Sequence, residues 1–227
     1  MSSSGEVDPQ VLEGLRRQLA SWRAALDGGA ERVGWKIGLN MPEVQRAVGI
    51  REPVIGHLTS ATLIEPGGEF SARGTGNLVV EAEVAVEIGR DVAGGVSEDE
   101  ARDAIAGHAA AIELVDVASE RQDVQTIVAG NVFHRGVMLG PSRPAFPVEG
   151  ARATIVVNGE ERAAADPPDD FAAVVEVTAR LLAAAGESLR AGDRIIAGSV
   201  IVAGVETGDA VTVDLGPLGS LDVRVTD

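Results

Sequence analysis

The sequence predicts an α+β protein, a β-rich body preceded by a short helical N-terminal portion. Three observations carry this. Glycine makes up 28 of the 227 residues, about 12% against an average near 7%, and the glycines punctuate short apolar runs, as strands joined by tight turns require. One run, Leu78 to Ile88, alternates apolar and polar positions with the period of two that belongs to a strand. Helix signals are confined to three stretches, one of them at the N-terminus.

Taken in order, apolar side chains at Val11, Leu12, Leu15, Leu19, Trp22 and Ala25 recur three or four apart between Pro9 and Leu26, and Gly28 and Gly29 end that helix. The run VGWKIGL then reads as a strand containing Lys36. In LVVEAEVAVEI, Leu78, Val80, Ala82, Val84, Val86 and Ile88 make one wholly apolar face, while Glu81, Glu83 and Glu87 stand on the other. Ser97 followed by Glu100 is a capping box. The acidic first turn suits the helix dipole, so a crossover helix is expected from Glu98 to about Ala110, with His108 inside it, leading into the strand IELVDV. His57, after a glycine, is expected in a turn. Thr154 to Val157 run into Asn158 and Gly159, a hairpin signal. Pro167 and Pro168 start, and Gly186 stops, a helix over Asp169 to Ala185. Two Gly-Asp pairs, at 192–193 and 208–209, enter strands, and Val211, Val213 and Leu215 followed by Leu221, Val223 and Val225 form a C-terminal meander. The length fits one domain with an appendage, divided as a helical segment over 1–32 and a body over 33–227.

Composition excludes whole classes of function. A net charge of −16 repels phosphate backbones and anionic membrane surfaces, so neither nucleic acid nor membrane is expected as a partner. Aromatic residues are 3% of the chain and tyrosine is absent, which removes the stacking platforms of single-strand binders. Without cysteine there are no disulfides, thiolate nucleophiles or cysteine-bound zinc. The first ten residues lack the basic and apolar regions of a secretory signal. The apolar run from Ile195 to Val205 is broken by Gly198 and Gly204 and is shorter than the ~20 residues of a membrane span. A cytoplasmic location is therefore expected.

Chemistry concentrates on the carboxylates. Glu81 and Glu83, two apart on one strand face, have Cα atoms about 6.5 to 7 Å apart and can share one ion, since carboxylate oxygens are the ligands of Mg, Mn and Ca. The alternative is that they line the solvent face of an edge strand. Glu113 is an acidic residue within an apolar run, costly to bury unpaired. It is either a third ligand or half of a salt bridge. Lys36 between Trp35 and Ile37 is either a catalytic residue, as a substrate-carboxylate anchor or proton donor, or a snorkelling surface lysine. The histidines His57, His108 and His134 are not expected to be ligands. Gly198 and Ser199 could offer an amide and a hydroxyl to an oxyanion, or form a packing turn.

Several segments together carry a resemblance: GWKIGLN at 34–40, Gln45, PVIGHL at 53–58, EAEVAVEIGRDV at 81–92, AIELVD at 111–116, GN before MLG in 130–140, and AGDRIIAGS at 191–199. In this order they resemble the fumarylacetoacetate hydrolase superfamily, and within it the 2-oxopent-4-enoate hydratase and 4-oxalocrotonate decarboxylase branch of aromatic catabolism. The resemblance implies a mixed β-sandwich roll with a short N-terminal helical segment. It also implies Mg2+ or Mn2+ held by Glu81, Glu83 and Glu113, a small 2-oxo or 2-hydroxy acid as substrate, and a homo-oligomeric assembly. The resemblance further implies that Lys36 contacts the carboxylate and 2-oxo end of the substrate and that Asn131, Gly198 and Ser199 lie near it. The expected reaction is addition of water to a 2-hydroxy-2,4-dienoate, with decarboxylation as the alternative. The hydrolase branch ranks lower, because its lid histidine has no counterpart in Asn40, Met41, Pro42 and Glu43. The chain departs from the hydratase pattern at Thr59, Ala118 and Gly130. Those changes keep open a catalytically degenerate paralogue that partners an active homologous decarboxylase or hydratase subunit.

Overall fold

The computed structural model describes residues 7–117, 122–144 and 151–227. Helix α1 (Pro9–Asp27) is capped by the Asp8 side chain, which accepts from the Gln10 and Val11 amides, and it buries the apolar stripe Val11, Leu15, Leu19 and Trp22. After it come β1 (Arg32–Gly38), α2 (Pro42–Val48), β2 (Val54–Thr59), β3 (Glu69–Ser71), β4 (Leu78–Ile88), α3 (Glu98–Asp103) and β5 (Ile105–Asp116). The chain continues with α4 (Val124–Ala129), β6 (His134–Leu139), β7 (Arg143–Pro144), β8 (Ala153–Val157) and β9 (Glu160–Ala165). It ends with α5 (Ala172–Ala184), β10 (Arg194–Ile196), β11 (Ile201–Gly204), β12 (Ala210–Asp214) and β13 (Ser220–Thr226).

The strands form two sheets. The larger runs β2-β1-β10-β4-β5-β6, with β11 also pairing β4 and β7 pairing β5; the smaller runs β3-β13-β12-β8-β9. This is the α+β fold, a mixed β-sandwich with a helical N-terminal segment, that is expected from the sequence and its resemblance. The apolar face of β4 (Val80, Ala82, Val84, Val86, Ile88) joins Ile112 and Leu114 of β5 and the smaller sheet's Ile155, Val213, Val223 and Val225 in one buried core, each large aliphatic side chain contributing about 1.5–3 kcal/mol by its removal from water. The opposite face of the large sheet carries a second small cluster, Leu58, Ala85, Ala109, Ala111, Val137 and Ile196. The candidate site residues Lys36, Glu81, Glu83 and Glu113 stand on that face. Asn158 (φ 52°) and Gly159 (φ 84°) make the expected hairpin turn, and both Gly-Asp pairs precede strands.

Two expectations are corrected. The helix expected over Glu98–Ala110 stops at Asp103 although its capping box forms, and residues 105 to 116 are the strand β5, paired with β4 along its length. Alanine's helix propensity is overridden by pairing, because Ala109 and Ala111 offer flat cover in the small cluster. No crossover helix therefore separates β4 from β5; they are antiparallel neighbours. Accordingly His108 is in β5, and His57 is in β2 opposite Trp35 rather than in a turn. The helix expected from Asp169 begins only at Ala172, with Asp170 Oδ1 accepting the Ala172 amide at 2.9 Å.

Two contacts fix the site's scaffold. The Gln18 side chain, buried in α1, donates to Ile55 O of β2 at 3.0 Å and to Val128 O of α4 at 2.7 Å, so the N-terminal helix ties the strand beside Lys36 to the helix that leads into Asn131. Arg32 lies over Trp22 and Trp35 at 5.4 and 5.2 Å and grips Asp193 through Nε and Nη2, which clamps β1 onto the start of β10. Their parallel pairing brings the backbones so close at Gly34 (φ 151°) that a Cβ there would lie 1.9 Å from Arg194 O. Among the described residues no helix is long and apolar enough to cross a membrane. Gly34→Ala is expected to destabilise the protein by about 3 kcal/mol or more, lowering the melting temperature by roughly 6–12 °C; calorimetry on the purified variant checks it.

Candidate metal centre

Strand register assembles the site. Glu81 of β4 pairs directly with Glu113 of β5, and cross-strand partners project to the same face. Glu83 is two residues along on that face. The three carboxylates approach so that one oxygen from each lies within 4.8 Å of the others. Because β4 is flanked by β5 on one side and β10 and β11 on the other, its polar face is no solvent-facing edge. Glu83 and Glu113 are fully buried.

Lys36 reaches the same point from β1. It is 2% exposed, not a snorkelling surface residue. Its Nζ lies 2.7 Å from Glu113 Oε1 and donates to Val132 O at 3.0 Å. Glu113 Oε1 also receives Nδ1 of His134 at 2.7 Å, and the other ring nitrogen meets Thr62 Oγ1 at 2.9 Å. A carboxylate cannot donate, so Nδ1 carries the proton. Glu83 Oε2 accepts the Gly198 amide at 2.8 Å. The remaining oxygens, Glu83 Oε1 and Glu113 Oε2, have no partner among the described residues.

Electrostatics separate the three acids. Burial pushes Glu113 up, but Lys36 and His134 outweigh it and hold its carboxyl below the usual range. Burial and then the charge of Glu113 push Glu81 up to about 7, and the same causes, with Glu81 added, raise Glu83 well above its ordinary value. Burial, helped by His134, lowers His57 to about 4. Three acids thus face one lysine, and two of them resist ionising.

The other predicted residues, Asn131, Gly198 and Ser199, lie around this cluster, each with hydrogen bonds of its own. Asn131 spends its amide on β2, accepting from His57 N at 2.8 Å and donating to His57 O at 3.0 Å. It opens a run of three non-glycine residues in the left-handed region, Asn131, Val132 and Phe133 (φ 58°, 51° and 65°). Such residues cost of order 1–3 kcal/mol each and persist only when their surroundings over-determine them. This turn is what delivers Val132 O to Lys36. The Gly198 amide is spent on Glu83, and a Cβ at Gly198 (φ 98°) would lie 2.6 Å from the Asn40 amide. Ser199 donates to Ile201 O at 3.1 Å and borders the cavity. Thr59 is buried, and its carbonyl accepts the Thr62 hydroxyl at 3.3 Å. Gly130 caps α4; Ala118 lies outside the described residues. Thr62 has no place in the sequence reading, and His134 enters it only as a residue not expected to be a ligand, not as the partner of Glu113 that it is here. The signal for His134 was its place at the start of an apolar strand run beside the GN pair.

A cavity of about 380 Å3 opens beside Lys36, Glu81 and Ser199. The remainder of its wall comes from β1, the loop before α2 and Val44 of α2 itself, the end of β5, the 131–133 turn and β11.

Comparison with known proteins agrees with this architecture. Residues 34–226 match the family model for the fumarylacetoacetate (FAA) hydrolase C-terminal domain. The chain is 29% identical over 241 residues to a 4-oxalocrotonate decarboxylase from Pseudomonas sp., covering 98% of this chain and 93% of the relative. It is 30% identical over 233 residues to the TodF product hydratase of Pseudomonas putida strain F1, covering 96% and 84%. The fold is shared with the structure of 4-oxalocrotonate decarboxylase from Pseudomonas putida G7 complexed with magnesium and adipate, at a TM-score of 0.81 and 24% identity over 92% of this chain and 83% of that one. It is shared also with fumarylpyruvate hydrolase from Pseudomonas aeruginosa in complex with Mn2+ and pyruvate, at 0.67 and 23% over 86% and 90%. With a family model spanning nearly the whole body and the same fold in its solved relatives, the chain belongs to the fumarylacetoacetate hydrolase family.

Proposed function

We propose that this protein is a divalent-metal-dependent lyase that adds water to a 2-hydroxy-2,4-dienoate or its 2-oxo-enoate tautomer in the catabolism of aromatic compounds. The observation that carries the reading is the convergence of Glu81, Glu83 and Glu113, two of them with a buried oxygen that no described group satisfies, next to Lys36 and an apolar cavity. That donor set fits a small hard cation such as Mg2+ or Mn2+. The metal complexes of the fold's solved relatives and the hydratase and decarboxylase names of its sequence relatives support the same chemistry.

Glu81, Glu83 and Glu113 would hold the ion, which when bound supplies a Lewis acid for the 2-oxo group and a counter-charge for its enolate. The Lys36 ammonium has three N–H donors. Glu113 and Val132 O take two of them, and the third is left to anchor a substrate carboxylate. His134 and the Gly198 amide fix the orientations of Glu113 and Glu83. Val132 and Phe133 form part of the apolar wall, which excludes bulk water and strengthens the charged contacts. A second reading, decarboxylation of a 4-oxalocrotonate-type acid, is supported by the relative that aligns over 98% of this chain; release of carbon dioxide distinguishes it. A homo-oligomeric assembly, and association with a homologous decarboxylase or hydratase subunit, belong to the same proposal and rest on the family; light scattering and co-purification read them.

Ultraviolet loss of the conjugated dienoate is expected in Mg2+ or Mn2+ and is expected to fall on the order of 100-fold or more in Glu83→Ala; unchanged turnover in that variant rejects the ligand assignment. Oxalate at about 100 times its Kd is expected to add about 2.7 kcal/mol and raise the melting temperature by roughly 5–11 °C only when metal is present. In chelator, Glu81 binds its proton more tightly folded, to about 7, than its ordinary 4.5. The folded state therefore holds the extra proton between those values, and its stability falls as pH rises through them. Glu81→Gln is accordingly expected to exceed the metal-free wild type by roughly 1–3 kcal/mol at pH 8, with the gap closing near pH 4 and shrinking at pH 8 when Mn2+ stabilises the wild type.

A further inference from the structure

The cavity beside the carboxylates restricts what the rest of a substrate can be. At about 380 Å3 it has room for roughly a dozen water-sized groups of about 30 Å3, more than a carboxylate and a 2-oxo group occupy. Away from Lys36 and Glu81 its wall is apolar, built from Leu39, Val44, Val117, Val132, Phe133 and Val202 among others. Polar side chains in the rest of the lining are Asn40 and Ser199, and the Ser199 hydroxyl is turned to Ile201 O. Among the described residues lining the cavity Lys36 is the one cation, and it is already paired with Glu113 at 2.7 Å. Among the described residues, a second carboxylate at the far end of a substrate would leave water with no cation to meet and at most the neutral Asn40 amide, whereas a methyl group in the same place would gain by burial.

We propose that the site selects 2-oxo or 2-hydroxy-dienoic acids with a single carboxylate and an uncharged, apolar tail, and rejects their dicarboxylic analogues. The inference rests on the metal-centred reading above and sharpens it. It also ranks the two lyase readings, because a 4-oxalocrotonate-type substrate carries the second carboxylate and a simple alkyl dienoate does not.

Calorimetric binding to the full-length, Mn2+-loaded protein tests it with three acids that share one head group: pyruvate, 2-oxohexanoate and 2-oxohexanedioate. The expected result is that 2-oxohexanoate binds roughly tenfold or more tighter than pyruvate and at least about tenfold tighter than 2-oxohexanedioate. The second ratio should persist at about 0.5 M salt, where the field of the −16 net charge is screened. Equal or tighter binding of the dioate, or a preference that disappears at high salt, overturns the inference. Failure of pyruvate itself to bind overturns the metal-centred reading instead, since all three acids share its head. Met41 borders the cavity and is 52% exposed, so Met41→Arg adds a cation at the mouth without disturbing the core. That variant is expected to bring the dioate to within about threefold of 2-oxohexanoate; a dioate affinity that does not move while pyruvate binding is retained overturns the placement of the tail against this wall.

Discussion

Three carboxylates and one lysine gathered on a single sheet face, with Glu81 half-buried and Glu83, Glu113 and Lys36 buried, are the constraint to which the rest of the structure answers. Like charges within 4.8 Å of one another repel by about 3.5 kcal/mol per pair even at an effective dielectric of about 20. Lys36 can offset one of them, and it offsets Glu113, the acid that also receives His134. Glu81 and Glu83 are left to hold protons more tightly than a carboxylate ordinarily does. A sheet that only needed to fold would place alanine or valine at these positions, as it does at Ala85, Ala109 and Val137 immediately beside them. The cost is localised where a dication would remove it, and this is why the cluster reads as a binding site and not as a misplaced surface.

The supporting structure follows from holding that arrangement fixed. Lys36 has an acceptor besides Glu113, the Val132 carbonyl, and the strained turn at Asn131, Val132 and Phe133 supplies it. That turn is pinned at its start by the Asn131 amide bridging both backbone groups of His57. It is pinned again through α4, whose last turn bonds to Gln18 of α1. The N-terminal helix is therefore not a detached appendage: through Gln18 it joins the two elements that flank Lys36. On the other side, the Arg32–Asp193 clamp and the close approach at Gly34 set the height of β10 against β1, and β10 leads directly into the Gly198 amide that holds Glu83.

How much of this could be read from the sequence depends on whether a local pattern or a distant contact decides it. Strict alternation over Leu78–Ile88 gives β4, its apolar face and the shared side of Glu81 and Glu83, because the strand period is a local property. The Asn158-Gly159 turn and the capping box at Ser97 are likewise local and appear as read. The overlong helix after Glu98 shows the limit: alanine and glycine there satisfy either state, and only pairing with β4 decides it. Whether Glu113 was ligand or salt-bridge partner could not be settled locally either, since register places it opposite Glu81 while β1 brings Lys36 to it, so that it meets both the cluster and a cation. His134 and Thr62 join the site through contacts spanning 21 and 72 residues, beyond any spacing rule.

The departures from the hydratase pattern look different once their contacts are known. Thr59 acts on the site through its backbone carbonyl, which accepts from Thr62, which in turn meets His134 and so Glu113. A carbonyl is present whatever side chain stands at 59. Gly130 ends α4 at φ −83°, a conformation open to any residue, so its effect is confined to a side chain withheld from the neighbourhood and does not extend to the turn that follows. Neither change removes a group that touches the three carboxylates or Lys36. The β4–β5 register and Lys36, on which the proposed reaction rests, are thus insulated from Thr59 and Gly130, while the cavity wall is assembled largely from loops and strand ends whose side chains can change without disturbing that register. A site divided in this way changes substrate before it loses chemistry, so Thr59 and Gly130 give no ground for a degenerate paralogue and accord with the proposed selectivity for an apolar acid.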